Sequence, residues 1–180
     1  MIYIIAGEIN QGKTHRLISL YQQQQTKQGD GFVSKKIFPD HADFTGYEIV
    51  RLSNNEKMPL AYRSQYLPPG FDEIDRCGPF HFSKAAVTFA ESIIDDIIAR
   101  DIEPIFIDEI GPLELAGKGF APLLEKILKT HKELYITVRN HCVEEVLKKF
   151  NIREYELIRI KGKPTEHTEH TPRRIHRRYY

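Results

Sequence analysis

The chain opens on a short run in which every side chain is hydrophobic. Residues Ile2–Ala6 are rich in β-branched side chains and end at Gly7, which is typical of a strand buried on both faces of a parallel sheet. After a polar segment, apolar side chains return at the spacing of one helix face, at Leu17, Leu20 and Tyr21. The pattern therefore predicts a strand, a glycine-containing loop and a helix at the start of the chain.

The second half of the chain alternates between helical and strand-like patterns. The helical spacing is carried by Ala86, Phe89, Ala90, Ile93, Ile94 and Ile97, by Phe120, Leu123, Leu124, Ile127 and Leu128, and by Val143, Val146, Leu147 and Phe150, with Ser83 placed to cap the first helix. The short apolar runs are Pro104–Ile107, Leu134–Val138 and Tyr155–Ile160. Such alternation produces right-handed β-α-β crossovers. We therefore predict an α/β fold with a mainly parallel sheet flanked by helices.

A different pattern follows the first helix. Residues Gly31–Phe38 and Tyr47–Leu52 have the composition of strands, and the segment between them carries Pro, Asp and Gly, which are turn residues. This predicts an antiparallel hairpin inserted after the first helix. Residues 53–80 are rich in Asn, Pro, Gly and Arg and lack a clear period. We predict mostly loop there, with one strand around Gly78–Phe82.

Composition and charge bound the class of protein. The 180 residues carry 26 basic and 25 acidic side chains, with a formal net charge of +1. These values describe one globular domain and give little support to bulk nucleic-acid binding. The charge is uneven, because residues 161–180 hold six Lys or Arg against two Glu. We predict a domain at residues 1–160 and a basic, flexible tail at residues 161–180, the one segment where nucleic acid could attach.

The cysteines and the apolar runs indicate the cellular setting. Cys77 and Cys142 have no second cysteine near either of them, which argues against a disulfide framework and favours a reduced, cytoplasmic protein. The first residues lack the basic start of a secretory signal, and no stretch reaches the roughly 18 apolar residues of a membrane span. No membrane partner is expected. The histidines are scattered without ligand spacing and predict no metal site.

The polar segment after the first strand matches the phosphate-binding pattern GxxxxGK[ST]. It consists of Gly7, Glu8, Ile9, Asn10, Gln11, Gly12, Lys13 and Thr14, with His15 next. In this motif the glycines let the backbone approach phosphate, the lysine reaches the β and γ phosphates, and the hydroxyl binds Mg²⁺. We therefore predict that these nine residues bind a nucleoside triphosphate, with Lys13 as a catalytic residue and Thr14 on the metal.

A second motif is the segment Ile105–Glu109, in which three apolar residues are followed by Asp108 and Glu109. An acid at the tip of such a strand holds magnesium, usually through water, and the carboxylate after it can polarise an attacking water. This predicts Asp108 as a metal residue and Glu109 as a catalytic one, although a strand-end carboxylate can also pair with a cation or cap a helix. Arg139 follows another predicted strand, at the sheet edge where ligands bind. It is a candidate for contacting the γ-phosphate, the alternative being a surface arginine.

These segments together resemble a known family. The quoted parts are GEINQGKT, Gly31-Phe32, Gly46-Tyr47, Leu60-Ala61 and the string IDEIGPLEL at residues 107–115. Over about residues 1–160 the chain resembles the P-loop nucleoside-triphosphatases first described in thermophiles and related to a human cancer-associated NTPase. The resemblance implies a RecA-like or kinase-like core and slow Mg²⁺-dependent hydrolysis of ATP, GTP and other nucleoside triphosphates. Within the string, Glu114 is expected to have a structural task.

The sequence departs from that family at the loop. The family loop usually carries a further glycine and a second threonine, where Asn10, Gln11 and His15 stand here. Two other functions stay open. A small-molecule or nucleotide kinase uses the same loop and fold, although kinases normally add an arginine-rich lid. A nucleotide-regulated binding or assembly factor would bind the nucleotide with incidental hydrolysis.

Overall fold

The computed structural model describes residues 1–24, 28–39 and 43–160. The strands are β1 (Ile2–Gly7), β2 (Asp30–Ile37), β3 (Gly46–Arg51), β4 (Lys57–Arg63), β5 (Glu73–Cys77), β6 (Phe80–Ser83), β7 (Ile105–Ile110), β8 (Leu134–Arg139) and β9 (Tyr155–Arg159). The α-helices are α1 (Lys13–Gln22), α2 (Lys84–Ala99), α3 (Pro112–Leu115), α4 (Ala121–Leu128) and α5 (Val143–Lys149). None of these helices is long and apolar enough to cross a membrane. The predicted tail lies outside the described residues.

The strands form one sheet in the order β5-β6-β4-β3-β2-β7-β8-β1-β9. From β2 to β9 in this order the neighbours are parallel, whereas β3, β4, β6 and β5 are joined to β2 and to each other by antiparallel pairing. The predicted α/β class is confirmed. The sheet is mixed, however, so the prediction of a mainly parallel sheet gave the antiparallel part too little weight.

The difference arises in residues 53–80, which were predicted to be mostly loop. This segment contributes β4 and β5 to the sheet. Pro59 interrupts the sequence signal of β4, and it lies where the register between β3 and β4 shifts, a position at which a strand tolerates proline. The residues of β5 are mostly exposed and polar. Both strands are therefore stabilised by their neighbours rather than by a local pattern.

The predicted hairpin after the first helix is confirmed. It is formed by β2 and β3, which pair antiparallel from Phe32 opposite Arg51 to Ile37 opposite Gly46. On its other side β2 joins the parallel strands through β7. This junction is tight, because a Cβ atom on Gly31 would lie 1.9 Å from the carbonyl oxygen of Phe106. Only glycine lets the hairpin approach the parallel part of the sheet so closely.

The core lies on both faces of the parallel strands. On one face α2, α4 and α5 pack against side chains such as Ile4, Ile107 and Ile136. On the other face Leu17 of α1 packs with Ile5, in the second apolar cluster. Alternate side chains of each strand are thus buried on opposite faces, which explains why the strands appear as continuous apolar runs. The predicted cap of α2 is also present, since the Ser83 hydroxyl accepts a hydrogen bond from the Ala86 amide at 3.3 Å.

The carboxyl ends of the parallel strands meet at one edge of the sheet. Strand β8 lies between β1 and β7, and Gly7 at the end of β1 is opposite Arg139 at the end of β8. Between β7 and β8 the register shifts after Ile107 and resumes at Ile110. The two acidic residues of β7 therefore lie in an irregularity of the strand, beside the loop that follows β1.

Candidate active site

The loop from β1 to α1 turns back on itself before the helix begins at Lys13. The Gln11 amide donates to the Glu8 carbonyl at 3.3 Å, and the Gln11 side-chain oxygen accepts from the Glu8 amide at 2.7 Å. Gly12 has a φ of 88°, the left-handed conformation that glycine adopts without steric cost. The first amides of a helix have no partner within the helix, so the start of α1 presents N–H donors to an anion.

Two side-chain contacts tie this loop to the strands beside it. The side-chain amide of Asn140, just after β8, donates to the Glu8 carboxylate at 2.9 Å. On the opposite side, the Lys36 ammonium at the end of β2 donates to the Asn10 side-chain oxygen at 2.9 Å. The loop is thus held by side chains at the ends of β8 and β2, and these contacts limit its freedom to change shape.

Lys13 is held inside the loop. Its side chain is largely buried, and its ammonium group donates to the Glu8 carbonyl at 2.8 Å. A carbonyl is a neutral acceptor, whereas a phosphate oxygen carries charge, and hydrogen bonds between charged groups are the stronger ones. The lysine can therefore exchange its backbone partner for a phosphate oxygen within the same loop.

Asp108 is completely buried and is surrounded by donors. Its Oδ2 accepts from the Thr14 hydroxyl at 2.7 Å and from the Ser34 amide at 3.1 Å, and its Oδ1 accepts from the Thr137 hydroxyl at 2.6 Å. Burial, with a smaller contribution from the Glu109 charge, raises the pKa of Asp108 to about 6. The three hydrogen bonds act in the opposite direction, because they favour the carboxylate.

Glu109 lies in the irregular part of β7 and turns toward the loop. It has a φ of 68°, which is uncommon for a residue other than glycine. Its amide is fixed by a hydrogen bond of 2.8 Å to the Thr137 hydroxyl, the same hydroxyl that donates to Asp108. Thr137 thus holds the backbone and side chain of two successive acidic residues, one buried and one half-exposed.

These groups surround a cavity of about 450 Å³. Its wall is formed by Ile9, Asn10, Gly12, Lys13, Thr14, His15, Ser34, Lys35, Lys36, Tyr47, Glu109 and Arg139. Of the residues predicted from the sequence, Gly7, Glu8 and Gln11 shape the loop without lining the wall, and Asp108 is buried beneath it. A larger cavity of about 760 Å³ lies at the opposite, amino-terminal end of β1 and β8, and none of the motif residues lines it.

The sequence did not single out several residues around this cavity. Ser34 and Lys36 come from the end of β2, Tyr47 comes from β3, and Thr137 comes from the end of β8. Burial raises the pKa of Tyr47, and the nearby Glu109 charge adds to this effect. Ser34, Lys36 and Thr137 lie toward the ends of β2 and β8, the two neighbours of β7, and Tyr47 lies on β3, beyond β2. These places become visible only once the strand order is known.

Glu114 has the structural surroundings expected of it. It is buried, and its two carboxylate oxygens accept from the amides of Gly111 at 2.9 Å and Phe120 at 3.1 Å. It thereby caps the short helix α3 and holds the start of α4. Burial raises the pKa of Glu114 to about 7, although both amide contacts favour the charged form.

The oxygen atoms beneath the loop fit a hard divalent cation. Mg²⁺ is usually held by one or two carboxylates together with phosphate oxygens, and it keeps several of its waters. Thr14 and Asp108 offer a hydroxyl and a carboxylate in mutual contact. Beside them the Ser34 hydroxyl is buried without a hydrogen-bond partner among the described residues. A set of oxygen donors with one unsatisfied member is chemically suited to this ion.

The sheet with its glycine loop, buried aspartate and adjacent glutamate defines a P-loop nucleotide-binding enzyme. The chain belongs to the NTPase family, whose model matches residues 2–168. The family resemblance and the enzyme class predicted from the motifs are thereby confirmed. The sequence of this chain is 27% identical to that of the nucleoside-triphosphatase THEP1 of Methanocaldococcus jannaschii, over 64% of this chain and 63% of that protein. It is 28% identical to the protein of the same name from Pyrococcus abyssi, over 80% of this chain and 77% of that protein.

Two solved structures share the fold. The crystal structure of THEP1 from the hyperthermophile Aquifex aeolicus superposes with a TM-score of 0.69 at 21% identity, covering 89% of this chain and 90% of that one. The solution structure of a human cancer-related nucleoside triphosphatase gives a TM-score of 0.61 at 19% identity, covering 88% of each chain. The fold of the family therefore extends over most of this chain.

Proposed function

We propose that the protein hydrolyses nucleoside 5′-triphosphates, including ATP and GTP, to diphosphate and phosphate in a Mg²⁺-dependent reaction. The observation that carries this proposal is the grouping of Lys13, Thr14 and Glu109 around one cavity, with Asp108 bonded to Thr14 from below. Family membership and the names of the relatives support hydrolysis. The choice of nucleotide and of metal belongs to the proposal.

The phosphate chain would be bound by the start of α1 and by Lys13. The amides at the helix start and the lysine charge both favour an anion at this place. Lys13 would leave the Glu8 carbonyl, which accepts its hydrogen bond at 2.8 Å, and contact the β and γ phosphates. Binding thus requires a side-chain movement rather than a rearrangement of the sheet.

Thr14 and Asp108 would hold Mg²⁺, the threonine through its hydroxyl and the aspartate through its carboxylate. The ion would supply positive charge that neutralises the charge developing on the phosphates during the reaction. The contact of 2.7 Å between the two side chains keeps the hydroxyl on the cavity wall next to the carboxylate buried beneath it. A buried carboxylate is costly when unpaired, so a cation there also compensates the burial of Asp108.

Glu109 would orient the attacking water and accept its proton, and Arg139 would stabilise the negative charge that develops on the phosphoryl group. Both side chains line the cavity that Lys13 and Thr14 share. Glu109 is suited to the first task because the Thr137 hydroxyl fixes its backbone amide and the residue lines the cavity. Arg139 is suited to the second because the pairing of β8 with β1 places it opposite Gly7.

Phosphate release from ATP, GTP, CTP and UTP, with and without Mg²⁺ and without an added acceptor, tests this function. We expect Mg²⁺-dependent release that Lys13→Ala lowers about 100-fold or more. Lys57→Ala is the matched control and should behave like the wild type, because this exposed lysine of β4 pairs with Glu48 of β3 and does not line the cavity. Release only when an acceptor is added would indicate a kinase. Tight binding without turnover would indicate an assembly factor.

Three further expectations stay predictions. The division into a domain at residues 1–160 and a basic tail at residues 161–180 is the first. The second is that nucleic acid is not a main partner and that the tail is the one segment where it could attach. A reduced, cytoplasmic setting is the third, in keeping with the free thiols of Cys77 and Cys142.

A further inference from the structure

Ser34 occupies an unusual position on β2. Ser34 is 8% exposed, and its backbone amide donates to Oδ2 of Asp108 at 3.1 Å. The same oxygen accepts from the Thr14 hydroxyl. Yet the hydroxyl of Ser34 itself is buried and has no hydrogen-bond partner among the described residues. A buried hydroxyl without a hydrogen bond thus lies beside the two side chains that are assigned to the metal.

An unsatisfied buried hydroxyl is unfavourable for the folded protein. Leaving such a group without a partner costs about 1–3 kcal/mol, and an alanine in its place avoids that cost. The backbone hydrogen bond to Asp108 needs no serine, because any residue other than proline supplies the amide. Folding and the support of Asp108 therefore do not explain the hydroxyl, and a partner that arrives with the ligand does.

The place of Ser34 and the chemistry of Mg²⁺ together restrict that partner. Ser34 lines the cavity that contains Lys13 and Thr14. Its neighbours at Asp108 are the groups assigned to the cation, so the cation's surroundings are the nearest place for a new contact. Mg²⁺ keeps several waters when it binds through one carboxylate and phosphates, and these waters donate hydrogen bonds to acceptors around the ion. A serine oxygen has two lone pairs with which to accept them.

We propose that Ser34 is a positioning residue whose hydroxyl holds a water bound to the nucleotide's divalent cation. The inference rests on the proposed function, because it requires the cation to bind at Thr14 and Asp108. Groups that contact a metal through its ligands commonly change metal affinity by about 10–100-fold when they are removed. Ser34 therefore raises the affinity of the site for Mg²⁺ and leaves contacts between the protein and the bare nucleotide unchanged.

Binding of a fluorescent, non-hydrolysable ATP analogue at increasing Mg²⁺ concentrations tests this role in the full chain. We expect Ser34→Ala to raise the Mg²⁺ concentration at half-maximal binding about tenfold or more, while binding in EDTA equals that of the wild type. The thermal midpoint without nucleotide should be equal or higher, since an idle hydroxyl has been removed. Ser34→Cys keeps the shape with a poor hydrogen-bonding group, and we expect it to behave like Ser34→Ala.

The controls separate this inference from the proposed function. Ser92→Ala, on the exposed face of α2, should leave the Mg²⁺ dependence unchanged. If the wild type binds the analogue with no Mg²⁺ dependence, the proposed metal role of the site is wrong. If the wild type depends on Mg²⁺ and both Ser34 variants show the same dependence, the inference about Ser34 alone is overturned. A lowered thermal midpoint with unchanged Mg²⁺ dependence would likewise assign Ser34 a purely structural role.

Discussion

The Thr14 hydroxyl donates a hydrogen bond of 2.7 Å to Oδ2 of Asp108, although the two residues lie 94 positions apart in the chain. The contact joins the first turn of α1 to the end of β7, and β8 lies between β7 and the strand that precedes α1. Helix α1 must therefore cross the end of β8 to reach the aspartate. The relationship links the glycine loop to the buried acid and brings together the two side chains that are proposed to hold the cation.

Thr137→Val tests how this arrangement is supported from β8. The substitution removes the donor to Oδ1 of Asp108 and the acceptor for the Glu109 amide. We expect the free energy of unfolding to fall by about 1–3 kcal/mol, because buried polar groups lose their partner, and the Mg²⁺ requirement for hydrolysis to rise. Urea denaturation and Mg²⁺ titration of phosphate release measure the two effects. Thr130→Val, after α4, is the control, and equal behaviour of the two variants would contradict the role of Thr137.

Arg139→Ala tests the positive charge on the wall of the cavity that Glu109 also lines. If Arg139 stabilises charge on the transferred phosphoryl group, its removal should lower kcat by about 100-fold with little change in thermal stability. Arg153→Ala removes an exposed arginine at the far end of the sheet and serves as the control. Steady-state phosphate release gives kcat for each variant. A kcat within twofold of the wild type would instead identify Arg139 as a surface arginine.

Glu114→Ala should change how stability depends on pH. Burial raises the pKa of Glu114 from 4.5 to about 7, so between these values the folded protein keeps a proton that the unfolded chain releases. Glu114 thus contributes most to stability at low pH, and this contribution declines as the pH rises through that window. The alanine variant lacks this term and also leaves the amides of Gly111 and Phe120 without their acceptor.

Urea denaturation at pH 5 and pH 8 measures the effect. We expect Glu114→Ala to be less stable than the wild type at pH 5, with the difference shrinking by about 2–3 kcal/mol at pH 8. Glu91→Ala on the exposed face of α2 should show no such change. A difference between wild type and Glu114→Ala that stays constant across the two pH values would show that Glu114 does not retain its proton on folding.

The parts of the fold that could be predicted have strong local patterns. The strand Ile2–Ala6, the glycine loop and the helical face of α2 each follow from hydrophobic periodicity within a few turns of chain. The hairpin of β2 and β3 could be predicted from its turn residues. Strands β4 and β5 could not, because Pro59 and a mostly polar β5 carry no strand signal and are stabilised by pairing with neighbours.

The site divides in the same way. The phosphate loop, Asp108 and Glu109 stand in contiguous motifs whose chemistry requires those residue types, so the sequence alone indicates them. Ser34 and Thr137 have no motif of their own, and Tyr47 stands only in the Gly46-Tyr47 pair of the family resemblance. The strand order brings Ser34 and Tyr47 to the cavity and Thr137 to the two acidic residues of β7. Glu109 also has a φ of 68° within the irregularity of β7, a backbone detail that no local pattern indicates.

The proposed hydrolysis depends most directly on Glu109, and Glu109→Gln is the decisive variant. Glutamine preserves the size of the side chain and removes the negative charge that is proposed to activate water. We expect Glu109→Gln to bind Mg²⁺ and an ATP analogue with an affinity within about twofold of the wild type. Its rate of phosphate release should be lower than that of the wild type by a factor of about 100 or more. Single-turnover phosphate release by both proteins, with Glu91→Gln as control, makes this comparison. A Glu109→Gln variant that hydrolyses ATP at the wild-type rate would contradict the account.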